Sequence, residues 1–351
     1  MWRKLSYLLF AVVTIFVFGS CSLKARIKRA DKQYDVGEYY AASLKYKKVL
    51  SKIPAKEKAL RARVAFNQAE CQRIINYNTA EQMYANAIRY GYKDSIVYFR
   101  YAQVLQRNGK YPDAAKNYSI YLKNSPNNEA AKNGLMAQKL VDKYKANPTG
   151  YIVKKYDAFN SNRTYTFSPS FLTADADVLF FTSNRVFSKK NGQKNSAVTG
   201  LADNNIYSVR KNASGKWEKP AIIGSEVNTL TTDDGACSFT ADGSVMFFTR
   251  ARQQADAEIG TEIYISNRAG GAWSEPKKIE IFKDSAISVA HPTIAPDGET
   301  LYFVSDSPDG LGGKDIWRAK YDKGECKEIE NLGSDINTPG DEMFPTVRSN
   351  G

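Results

Sequence analysis

Histidine is nearly missing from this chain: His291 is the single one in 351 residues. A Ser-His-Asp triad needs an imidazole base in most of its forms. That chemistry therefore depends on one position. His291 stands in "AHPTIAPDG", within one residue of a slot that recurs as Pro169, Ala236 and Phe344 in a repeat described below. A repeated slot points to structure rather than to catalysis. Cysteine is sparse as well. Cys21 aside, Cys71, Cys237 and Cys326 lie far apart with no CxxC spacing, so neither a disulfide framework nor a zinc site can be read from them. There is no GxSxG elbow. "GLGGK" (Gly310–Lys314) is too short to be a GxxxxGK[ST] phosphate loop, and Asp315 follows its lysine where Ser or Thr is required. Asp306, Asp309 and Asp315 could approach a cation, yet no bidentate carboxylate closes their loop. Turn capping is their expected role. The expectation is a protein that is not an enzyme, with no catalytic residues, no metal and no cofactor.

Acidic residues are scarce in the first 150 positions, which hold 10 Asp/Glu against 27 Lys/Arg, a net of +17. The remaining residues carry a net of −4. A basic half suits nucleic acid, anionic lipid or an acidic partner surface, and solvated helix faces would produce the same count. No apolar run reaches the ~20 residues of a membrane span. The longest is "LSYLLFAVVTIFVF" (Leu5–Phe18), preceded by "MWRK" and followed by "GSC" (Gly19–Cys21). This arrangement resembles a bacterial lipobox, with Phe18 bulkier than the usual residue three before the cysteine. The resemblance implies a signal peptide over 1–20 and a lipid on Cys21. Buried acyl carbons contribute about 0.8 kcal/mol each, enough in number to hold the chain on a membrane. The alternative is an uncleaved signal anchor. "SLKAR" (Ser22–Arg26) has no acidic run like that of a surface-export tag, so the periplasmic face of an outer membrane is expected. Nucleic acid is not an expected partner of an exported lipoprotein.

The region after the leader is periodic. "GEYYAASLKYKKVLSKIP" (Gly37–Pro54), "INYNTAEQMYANAIRYGY" (Ile75–Tyr92) and "GKYPDAAKNYSIYLKNSP" (Gly109–Pro126) align without gaps. Ala42, Ala80 and Ala114 share one slot; Tyr39, Tyr77 and Tyr111 a second; Tyr46, Tyr84 and Tyr118 a third. A small residue lets two helices approach, and an aromatic four residues later lies on the same face. Each helix pair leaves an apolar face for its neighbour to bury. The period and these slots resemble the tetratricopeptide repeat. The middle copy departs from it at Ile75 and Tyr92. "GLMAQKLVDKYKAN" (Gly134–Asn147) reads as a capping helix. The resemblance implies a concave face lined by the first helix of each unit, with Gln72, Arg73, Phe99, Gln103, Gln106 and Arg107 as candidate partner-binding residues.

After "NPTG" (Asn147–Gly150) the pattern changes to short alternating strands. "TADADVLFFTSNR" (Thr173–Arg185), "TADGSVMFFTRAR" (Thr240–Arg252) and "APDGETLYFVSDS" (Ala295–Ser307) each read as a turn followed by a strand. Asp-Gly supplies the positive φ of a tight hairpin, and Asp175-Ala176 is the imperfect copy. "NIYSVRK", "EIYISNR" and "DIWRAKY" repeat a second strand; "IGSEVNT" and "LGSDINT" repeat a closing segment. Repeats of this length, each worth about four strands, indicate propeller blades. The region from Tyr165 onward resembles the WD40-like, TolB-type (PD40) propeller repeat. Three blades are present, and "PTVRSNG" (Pro345–Gly351) matches the opening of a fourth. Because propellers usually close with four to eight blades, a fragment of a longer protein is expected.

The fold expected is therefore multidomain: an all-α tetratricopeptide solenoid followed by an incomplete all-β propeller. Its parts are a leader (1–20), a solenoid (21–147), a linker or first strand (148–164) and blades (165–351). That order resembles Bacteroidetes outer-membrane lipoproteins that also carry an OmpA-like domain and are associated with type IX secretion and gliding. The resemblance implies a scaffold whose partners are secretion or envelope proteins. Contact with peptidoglycan would come only through a C-terminal domain outside these 351 residues. The other reading is a propeller that gates a prolyl-oligopeptidase-like serine peptidase whose catalytic domain follows residue 351.

Overall fold

The computed structural model describes residues 23–154, 156, 159–160, 164–186, 195–229, 231–254 and 257–348. The expected leader and lipid-bearing Cys21 lie outside the described residues. The chain divides into two compact units, residues 1–153 with 196–200, and residues 154–195 with 201–351. Among the described residues no helix is long and apolar enough to cross a membrane.

The helical unit contains α1 (23–35), α2 (Tyr39–Leu50), α3 (Lys58–Ile75), α4 (Tyr77–Arg89), α5 (Ile96–Arg107), α6 (Tyr111–Leu122) and α7 (Glu129–Ala146). Three successive pairs, α1–α2, α3–α4 and α5–α6, form the tetratricopeptide solenoid, and α7 packs on α6. The aligned slots are its core. Ala42, Ala80 and Ala114 are buried, as are Tyr46, Tyr84 and Tyr118. Each tyrosine belongs to a separate cluster shared with the neighbouring helices.

The irregular middle copy has a local cause. Gly37 and Gly109 end their turns at φ 79 and 75, a region that favours glycine. At the matching place Ile75 is still helical. The chain then turns through Asn76 alone, in extended geometry, and the Asn76 side chain accepts from Thr79 N at 3.2 Å. A side-chain cap thus replaces the glycine turn. Tyr92, in place of proline, stacks on Phe66 at 4.2 Å.

The β unit is built from three sheets. The first is β1 (Thr166–Phe171), β2 (Val178–Ser183), β3 (Asn205–Arg210) and β4 (Ala221–Ile222). The second is β5 (Asp234–Phe239), β6 (Val245–Gln254), β7 (Ala257–Ala269), β8 (Ala272–Trp273) and β9 (Lys277–Lys278). The third is β10 (Val289–Ile294), β11 (Thr300–Ser305), β12 (Asp315–Asp322) and β13 (Glu325–Asn331). Each is an antiparallel meander in sequence order, except that β9 of the second sheet pairs with β7 as β8 does; such a meander is a propeller blade. The apolar faces of consecutive blades close on each other: Phe180, Phe239, Phe248 and Ile206 fill one seam, and Phe247, Ile263, Leu301, Phe303 and Trp317 the next.

The first strand of every blade is bulged at the same place. The register shifts between Phe167 and Ser170, Gly235 and Ser238, and Ala290 and Thr293. Inside those bulges Ser168, Ala236 and His291 adopt φ 48, 50 and 50, and Phe344 continues the series at φ 58. The slot in the first blade is thus Ser168, one residue before Pro169. The bulge frees an N–H that joins blades: Ala236 N donates to Thr182 Oγ1 at 2.8 Å, and His291 N donates to Thr249 Oγ1 at 2.8 Å. The segment 341–348 takes the next first-strand place, with Thr293 Oγ1 donating to the carbonyl of Pro345 at 2.6 Å.

Candidate functional site

On the helical unit, the first helices α1, α3 and α5 present a ladder of polar side chains anchored by the tyrosine slot. Tyr46 OH donates to Asp31 Oδ1 at 2.7 Å and accepts from Asn67 Nδ2 at 3.2 Å. Arg63 pairs with Asp31 at 3.3 Å. One step along, Tyr84 OH donates to Glu70, which also pairs with Arg73 at 3.3 Å and Arg100 at 3.7 Å. In the third step Tyr118 OH donates to Gln106 Oε1 at 2.8 Å. Each buried hydroxyl finds an acceptor on the preceding first helix, so none of these three tyrosine tips is left bare.

The charges at the middle rung are unequal: two guanidinium groups meet one carboxylate. Burial, and then the Glu70 carboxylate, push the Tyr84 phenol far above its usual range. Burial works against the charge on Arg73, but Glu70 and Tyr84 beside it together outweigh burial and raise its pKa. The rung thus keeps a surplus positive charge in a partly dry setting, where it acts more strongly than in bulk water.

The six residues expected from sequence fall into different roles. Arg73 is part of the Glu70 rung, and Gln103 accepts from Arg100 Nη1 at 3.3 Å beside it. Gln106 is the acceptor of Tyr118. Arg107 is exposed and lies over the Tyr77 ring at 3.9 Å. Gln72 donates to Ser43 Oγ at 2.6 Å, fastening α3 to α2. Phe99 is 7% exposed and packs against Tyr118 and Tyr121. Its ring belongs to the core, in one cluster with Ala102, Leu105, Tyr118 and Tyr121. Sequence reasoning did not single out Asp31, Arg63, Glu70 or Arg100. Their distances from the tyrosine slot vary, so alignment of the repeats does not bring them into one column.

The glycine-rich stretch of the third blade has a packing explanation. Side chains added at Gly312 would overlap the backbone carbonyls of Thr338 and Gly340, and at Gly313 the Asp341 carboxylate. The loop "NTPGDE" (Asn337–Glu342) crosses here: Gly313 N donates to Gly340 O at 2.7 Å, and Glu342 N to Lys314 O at 2.7 Å. Asp315, almost wholly buried, accepts from Leu311 N and from Asn331 Nδ2 at 2.9 Å. Its carboxylate closes the turn. Asn337 then clamps β12, accepting from Ile316 N at 2.8 Å and donating to Ile316 O at 3.0 Å. Asn228 does the same to Ile206 in the first blade.

His291 stacks on Phe344 at 3.8 Å. Burial, aided by nearby Lys314, pushes its pKa down to about 4, so the ring is neutral at pH 7. Three acids cluster elsewhere on the unit. Burial and the neighbouring Asp233 and Asp234 raise the Asp203 carboxyl to about 6, while Asp234 pairs with Arg250 at 2.6 Å. Among the described residues no group of three or more His, Cys, Asp or Glu is arranged to hold a metal.

No protein-family model matches the chain, and no curated protein matches it. Among solved structures it is similar to the type III secretion chaperone SycD of Yersinia enterocolitica in complex with a peptide of the translocator YopD, at 17% identity over 34% of this chain and 95% of that one, with a TM-score of 0.29. It is similar to the first TPR domain of human RPAP3 at 22% identity over 36% and 97%, TM-score 0.30. It is also similar to the β-propeller domain of the Trilobed protease from Pyrococcus furiosus, described as an open velcro topology, at 14% identity over 49% and 44%, TM-score 0.29.

Proposed function

We propose that this chain is a non-enzymatic scaffold, lipid-anchored through Cys21 at the periplasmic face of an outer membrane, that holds protein partners within a type IX secretion or envelope-anchoring assembly. The observation that carries the scaffold reading is the fate of the site-like residues. Gly312, Gly313, Asp315 and His291 serve blade turns and a repeated bulge, whereas the first-helix face of the solenoid displays Arg63, Arg100, Gln103 and Arg107. Guanidinium and amide groups in a row suit the carboxylates and backbone of an extended acidic segment. The lipid anchor and its membrane are supported by the run Leu5–Cys21, and the assembly by the order of leader, solenoid and blades. Contact with the cell wall is not expected of these residues.

The test is capture of partners from solubilised outer membranes by the chain and by an Arg100→Glu/Arg107→Glu variant. Envelope or secretion proteins should be recovered with the first and at least ten-fold less with the second. Equal recovery would place the partners elsewhere on the chain, and none above background would end the scaffold reading. In parallel, Cys21→Ala should release the chain from the membrane fraction. Retention of that variant would favour an uncleaved anchor.

A further inference from the structure

α7 closes the helical unit with one face open. Met136, Leu140 and Tyr144 are 57, 49 and 64% exposed. Spaced four apart, they make one continuous stripe. The repeat register says what the stripe is for. Ala80 and Ala114 are 34 residues apart, and the same shift carries Ala102 and Gln106 of α5 onto Met136 and Leu140 of α7. On α5 those two positions touch the second helix of their pair. Ala102 is buried in the cluster that holds Ala114 and Tyr118 of α6, and Gln106 accepts from Tyr118 OH. Met136 and Leu140 therefore mark where a second helix would cross α7, and each is larger and more apolar than its counterpart.

Charge narrows the occupant. Lys132, Lys139 and Lys143 recur at helical spacing and run along one side of the stripe. Lys132 pairs with Glu129 at 2.7 Å. Lys139 and Lys143 are exposed and make no ion pair among the described residues. Asp142 falls away from the stripe, held by Gln138 at 2.9 Å. A second copy of the chain fits poorly, because antiparallel pairing of two α7 helices sets their lysine rows side by side.

We propose that α7 is a docking strip for an acidic amphipathic helix of a partner protein. That helix lies antiparallel on α7, with its apolar row on Met136, Leu140 and Tyr144 and its carboxylates against Lys139 and Lys143. The inference rests on the scaffold reading and names one partner chemistry and its seat.

The probe is a fluorescent 18-residue amphipathic peptide with an Ala/Leu face flanked by Glu, titrated with the full 351-residue chain. Its comparators are a scrambled peptide and one with Lys for Glu. The acidic peptide should bind at least ten-fold tighter than either. Met136→Glu/Leu140→Glu should remove that margin, and Lys139→Glu/Lys143→Glu should transfer it to the Lys peptide. Lys216→Glu/Lys219→Glu, the same charge change at two exposed positions of the β unit, should leave it unchanged. Equal affinity for the three peptides overturns the proposal without needing any variant. So does preferential loss of anionic-vesicle binding, or of self-association in sedimentation, on changing Met136 and Leu140. If the peptide fails while envelope partners are still captured, the strip falls and the scaffold stands; failure of both removes the scaffold as well.

Discussion

Asp203 shows how a single residue can be held against its own preference. Burial and the neighbouring Asp233 and Asp234 lift its carboxyl to about 6, above the ~3.9 of an unfolded chain. A raised carboxyl contributes nothing adverse below pH 4, where both states are protonated. As pH rises from about 4 through 6 the unfolded chain ionises first, and folding loses stability. Asp203→Asn should therefore stabilise the β unit at pH 7 by about 1 kcal/mol, a figure reduced for the half-exposed setting. Below pH 4 it should have almost no effect. Chemical denaturation at the two pH values checks this, and an equal effect at both would refute it. His291 works in the opposite sense. Its depressed pKa of about 4 means stability is lost as pH falls from about 6.5 toward 4.

At the scale of elements, two glycines are set by close approach. A Cβ at Gly134 of α7 would run into the ring of Tyr118, which is buried and bonded to Gln106. A Cβ at Gly312 would run into backbone carbonyls of the crossing loop. Alanine is favoured over glycine inside a helix by about 1 kcal/mol, so propensity alone predicts that Gly134→Ala stabilises. Overpacking predicts the reverse: a net loss of about 1–3 kcal/mol at each site, read as a lowered thermal midpoint. A gain at Gly134 would show that Tyr118 can yield. Neither requirement is legible in the sequence. "GLM" looks like any helix interior, and "GGK" looks like a ligand loop until the return of Asn337–Glu342 across it is known.

At the scale of the whole molecule, each of the two compact units has core clusters of its own. Cooperative unfolding follows a shared core, so calorimetry of the chain should resolve two transitions. Gly134→Ala should move only one of them and Gly312→Ala only the other. A single transition moved equally by both substitutions would mean that the units unfold together.

The sequence by itself determined the parts that obey translation along the chain. Repeated units must bury equivalent faces, so the Ala and Tyr slots of the solenoid, the Asp-Gly turns and the blade strands all recur in register and can be read by alignment. It also determined that His291 is a repeat position. Only the tertiary structure decided what lies across the repeats. The acceptors Asp31, Glu70 and Gln106 stand 15, 14 and 12 residues before their tyrosines, a drift that a column cannot hold but a helix face can. It moved Phe99 from the expected groove into the core, and it showed that the stripe on α7 is uncovered. Burial and crossing contacts depend on where distant segments meet, and no local pattern encodes that meeting.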